Sequence, residues 1–74
     1  MSRPLTDLQE GVMALLEVGE TTDVGTSQYL NTFQTNYFNP KIIAPPSTFR
    51  GLAARGLIRI DDVSWRCMKI TRLK

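Results

Sequence analysis

Leu8, Val12, Leu15 and Leu16 recur at i, i+4, i+7 and i+8, the spacing that lays apolar side chains along one stripe of an α-helix. Thr6 stands ahead of them with Gln9 three residues on, a capping-box pair, and Asp7 and Glu10 suit the positive end of a helix dipole. The pattern predicts a first helix over 6–18, stopped by Gly19 in a left-handed conformation. Residues 20–25, rich in β-branched and turn types, predict a brief extended segment able to pair with a later hairpin. From Thr26 or Ser27 a second helix is expected, with Leu30, Phe33 and Tyr37 on its inner face and Tyr29 at its flank. Its propensity is weakened by Thr26, Thr32, Thr35, Asn31, Asn36 and Asn39 in and around that span.

Prolines at 40, 45 and 46 interrupt any helix across 39–46, which predicts a connector holding two buried isoleucines, Ile42 and Ile43. Phe49, Leu52, Ala53, Gly56 and Leu57 then mark one face of a third helix. Ser47 is its candidate cap, with a start at Pro45 or Pro46 in the first turn as the alternative, and Gly56 its terminator. Residues 57–60 and 65–71 read as two strands, with Asp61, Asp62, Val63 and Ser64 as the turn between them.

Helix, short strand, helix, helix, strand, turn, strand is the order of the winged helix-turn-helix DNA-binding family. Ser47 to Arg59 resembles that family most closely, because Leu52 through Ile58 has the form of the recognition-helix exit in repressors similar to the multiple-antibiotic-resistance regulators. Met68-Lys69-Ile70-Thr71 resembles their last wing strand, and Leu5-Thr6 with Gln9 and Val12 their opening helix. The resemblance implies an α+β fold of three helices with a C-terminal β-hairpin wing, as one domain over 1–74. The chain departs from the pattern in one place: the stretch from Asn39 to Pro46 is longer than the usual tight turn before a recognition helix.

Composition narrows the function classes. A chain of 74 residues has room for one core and no separate catalytic domain. Cys67 is the single cysteine and histidine is absent, so neither an intramolecular disulfide, a zinc cluster of ordinary spacing nor a Cys/His pair can form. No glycine-rich phosphate loop or nucleophile elbow occurs, and Asp61-Asp62 is a turn signal before it is a carboxylate pair. The expectation is a protein that is not an enzyme, with no cofactor, no metal and no small-molecule substrate. Neither a signal sequence nor an apolar run of membrane-spanning length is visible, which predicts a soluble, unprocessed, cytoplasmic protein without a membrane partner.

The net charge of +2 conceals an asymmetry. Up to Pro40, Arg3 faces five carboxylates, a net of −4; beyond it, eight cations face Asp61 and Asp62, a net of +6. Such polarity can steer a polyanion to one face, or simply let the two halves complement each other. On a helical wheel Ser47, Arg50, Gly51, Ala54 and Arg55 turn outward. Arginines there can bond guanine edges or phosphates, while Gly51 and Ala54 would let a DNA backbone approach. The competing reading is a solvated arginine face with Gly51 packed against a neighbouring helix. Ser47 and Thr48 can bond phosphate or serve as caps. Arg66 and Lys69, followed by Arg72 and Lys74, form a basic ribbon on the hairpin. Trp65 and the aromatic group Tyr29, Phe33, Tyr37 and Phe38 read as core or subunit contact before ligand cage.

The sequence thus predicts a small sequence-specific DNA-binding regulator. Double-stranded DNA would be read by Ser47, Thr48, Arg50, Gly51, Ala54, Arg55, Arg66 and Lys69, with a homodimer or protein partner adding affinity. The rival reading is a protein-interaction module, an adaptor or inhibitor, and RNA binding through exposed aromatics is a third.

Overall fold

The computed structural model describes residues 4–36, 40–64 and 66–74. Helix α1 spans Asp7–Ala14. It is followed by β1 (Thr21–Thr26), β2 (Gln34–Thr35), β3 (Ile42–Ala44), helix α2 (Pro46–Ala54), β4 (Ile58–Ser64) and β5 (Cys67–Arg72). The strands form one sheet in the order β2-β3-β1-β5-β4. Only β1 and β3 run parallel; the other neighbours are antiparallel.

Side chains alternate across a strand, so Val24, Ile42, Ala44, Ile58, Met68 and Ile70 face one side of the sheet. There they meet Val12, Met13 and Leu16 of the α1 region and Phe49 and Leu52 of α2, making a two-layer core. Asp23, Lys69 and Asp61 occupy the opposite, helix-free face, where Lys69 lies directly across from Asp23 on one side and Asp61 on the other.

The start of α1 follows its sequence signal. The Thr6 side chain accepts the Gln9 N–H at 3.2 Å, and Gln9 Oε1 accepts the Thr6 N–H at 3.1 Å, closing the capping box. The helix stops at Ala14, short of the expected residue 18, because Leu15 and Leu16 tighten into i−3 hydrogen bonds to Val12 and Met13. Leu15, expected on the buried stripe, is exposed, and Gly19 takes its positive φ of 86° in the loop beyond. α2 starts with Pro46 in its first turn and Pro45 as N-cap, and Gly56, at φ 73°, lies just past its C-cap Arg55.

The winged helix-turn-helix architecture is overturned. The described residues form two helices and a five-stranded mixed sheet, an α+β fold in which the expected middle helix does not form over 26–36. In its place Thr26 ends β1, Gln28 and Tyr29 form a turn, and Gln34 and Thr35 pair antiparallel with Ile43 and Ile42. Asn31, Thr32, Thr35 and Asn36 are poor helix formers, and the β-branched pair Ile42-Ile43 offers a strand edge instead. Phe33 abandons a helical face to pack against Gly11 of α1, where any Cβ would collide with its ring. The connector is likewise a strand, with Ile42 buried and Ile43 half-buried on the other face. At the hairpin β4 continues through the expected turn to Ser64, with an irregular register between Asp61 and Ser64 and Asp62 at φ 49°. The expected roles of Tyr37, Phe38 and Trp65 fall on residues outside those described.

Candidate nucleic-acid interface

β1 and β3 end side by side, with Thr26 level with Ala44, and the chain passes from Ala44 through Pro45 directly into α2. The β4–β5 turn reaches the same end of the sheet, since Thr26 N–H bonds the Arg66 carbonyl at 2.8 Å. Three segments therefore converge: the loop after β1, the first turn of α2, and the hairpin turn. Between them lies an open groove of about 420 Å³ lined by Thr26, Ser27, Gln28, Tyr29, Pro46 and Arg66. Arg50 follows Pro46 by four residues, hence stands on the same side of α2 one turn along, and it is exposed. Ser47, Arg50 and Ala54 form the exposed stripe of the helix.

The other residues expected at the interface are placed elsewhere. Thr48 is buried. Gly51 permits a close approach, but to Gln9 of α1, whose amide nitrogen would meet any Cβ there. Arg55 is half-buried and donates to the Pro4 carbonyl oxygen at 3.2 Å, tying the end of α2 to the segment before α1. Lys69 lies on the helix-free sheet face, in register with Asp23 on one side and Asp61 on the other. Arg72, part of the expected basic ribbon, turns inward: its Nη1 donates to the carbonyl oxygens of Met13 and Leu16, and its Nε to that of Lys74 at 2.7 Å. Arg59 bonds Asp61 at 2.9 Å on the surface, a contact of small energetic weight at this exposure.

The fold thus gives the cations of the basic half different surroundings. Arg55 and Arg72 brace the chain, Arg59 bonds Asp61, Arg66 lines the groove, and Arg50 is exposed one turn along α2 from Pro46. Arg66 is also one of two non-glycine residues with positive φ among those described, at 67°. An L-residue with a Cβ held there costs roughly 1–2 kcal/mol, a position that glycine would fill without penalty.

Sequence reasoning missed the groove because it cast Ser27, Gln28 and Tyr29 as the beginning of a helix. The available signal was the low helical propensity of the segment. Among the described residues, no cluster of three His, Cys, Asp or Glu side chains could hold a metal ion, and no helix is long and apolar enough to cross a membrane. No family model matches the chain, and neither a curated protein nor a solved structure matches it.

Proposed function

We propose that this domain binds DNA through the end of the molecule where the hairpin turn meets the first turn of α2. The observation that carries the reading is the placement of Arg66 and Pro46 in one groove with Arg50 one turn further along the same helix. The guanidinium of Arg66 in the groove, with exposed Ser47, Arg50 and Ala54 on the adjoining stripe of α2, suits the phosphate oxygens of a nucleic-acid backbone. The positive φ of Arg66 supports the same reading, since residues held in sparsely populated backbone regions concentrate at functional sites. With two principal cations the footprint is small. A single copy should bind weakly, and useful affinity calls for a second copy or a DNA-binding partner.

A titration of labelled duplex DNA at several salt concentrations tests this. Two phosphate contacts predict a slope of log K against log salt of about −2, and Arg50→Ala or Arg66→Ala should each flatten it by about 1. Lys69→Ala, on the far face of the sheet, should leave both affinity and slope unchanged. Absence of binding at low salt, or equal loss from all three substitutions, would sink the proposal.

A protein-contact reading draws on the other end of the molecule. Leu15, Val18 and Leu73 are exposed there, close to the backbone bonds that join Gly19 to Arg72 and Leu73 to Leu57. Self-association abolished by Val18→Asp would support it, and a monomer at all concentrations would count against a homodimer through this patch.

A further inference from the structure

Tyr29 is 95% exposed, while Phe49 is fully buried and Phe33 half-buried against Gly11. Its ring stands at the rim of the groove already described. The neighbouring lining offers hydroxyls from Thr26 and Ser27, the Gln28 amide, the apolar ring of Pro46 and the Arg66 guanidinium. This combination has a flat aromatic surface, groups that both donate and accept hydrogen bonds, and a cation, within a space of about 420 Å³ that is open on one side. The volume lies in the range of small-molecule sites and can take a base together with its sugar. A base inside a duplex offers Tyr29 no face, because both faces are already stacked on neighbours; an unpaired base does.

We infer that the groove receives one unpaired nucleobase stacked on Tyr29, so that the preferred ligand is duplex DNA carrying a single-stranded end. Arg66 then meets the phosphate of the unpaired nucleotide and Arg50 the adjoining duplex backbone. This inference rests on the DNA-binding reading above and adds to it a class of DNA end.

The test compares three labelled DNAs: a blunt duplex, the same duplex with a short single-stranded overhang, and that duplex with an abasic overhang. Base–aromatic stacking predicts that the overhang binds about tenfold more tightly than the blunt form, and that the abasic overhang loses the gain. Tyr29→Ala should abolish the preference, so that overhanging and blunt duplexes bind equally, while the circular dichroism spectrum is unchanged. Tyr29→Phe, which keeps the ring, should retain it. Equal affinity for blunt and overhanging DNA overturns the base site but leaves the DNA-binding reading standing. A preference that survives Tyr29→Ala or the abasic overhang, or is lost in Tyr29→Phe, also overturns the site. Failure of all three DNAs to bind overturns the reading itself, and the site with it.

Discussion

Arg72 Nη1 donates to the carbonyl oxygens of Leu16 at 2.6 Å and Met13 at 3.0 Å, so a strand at the far end of the sequence closes the carboxyl end of α1. The last turn of α1 holds no basic residue of its own. The missing cation comes from β5, and it meets both the Met13 and Leu16 carbonyl oxygens and the negative end of the helix dipole. Arg72→Met keeps much of the apolar stem and removes these charge-assisted bonds. Their partial burial predicts a loss of about 2–3 kcal/mol in urea unfolding. Arg72→Lys, lacking the planar fork, should recover only part. A change below about 0.5 kcal/mol in Arg72→Met would show that water satisfies these carbonyls equally well.

Gly51 and Gln9 predict a coupled pair. Alanine inside a helix is worth up to about 1 kcal/mol over glycine, yet a Cβ at 51 must displace the Gln9 amide that closes the α1 capping box. Gly51→Ala should therefore yield no stability gain in the wild-type background. In a Gln9→Ala background the same change should stabilise by about 1 kcal/mol, giving a measurable coupling in a double-mutant cycle. Additive effects would show that the side chain of Gln9 moves aside freely.

Gly11 faces a stiffer neighbour. The added methyl of Gly11→Ala would enter the Phe33 ring rather than the tip of a flexible chain. Thermal unfolding should report a loss of about 1–3 kcal/mol, the usual cost of overpacking. Phe33→Leu in the same molecule should relieve part of it, which a purely helical effect at position 11 would not allow.

Arg66 predicts that stability and binding part company. Arg66→Gly removes the penalty of positive φ and should have a higher Tm than Arg66→Ala, while both weaken duplex DNA binding equally. A fall in both Tm and affinity would assign the arginine to holding the turn rather than to a ligand.

Much of this architecture is written locally in the sequence. Thr6 with Gln9 marks the start of α1, the 49/52/53 spacing marks α2, Gly56 marks its end, and the closing hairpin follows from alternating apolar residues. Even the pairing of the short segment after α1 with a later hairpin strand is recovered, in β1 and β5. The middle of the chain was not legible, because Leu30, Phe33 and Tyr37 at helical spacing mimic an amphipathic face. What decides against a helix is tertiary: Gly11 leaves a slot for the Phe33 ring, and Ile42-Ile43 offers an edge to Gln34-Thr35. The candidate site was half legible. Outward Ser47, Arg50 and Ala54 follow from the helical wheel, whereas Arg55 and Arg72 could be recognised as braces only once Pro4 and the α1 carbonyls were in place.

The register of β1 has a consequence for how the chain is made. Its partner β5 spans residues 67–72, so the central strand waits for a segment about 40 residues further along before its longest ladder can form. On the ribosome, Val24 and its neighbours stay without that pairing until β5 has left the exit tunnel, and only then can Arg72 reach α1. Emergence of β5 is therefore the event that commits a nascent copy to the native sheet. Synthesis halted before residue 67 should leave a species that proteases digest readily.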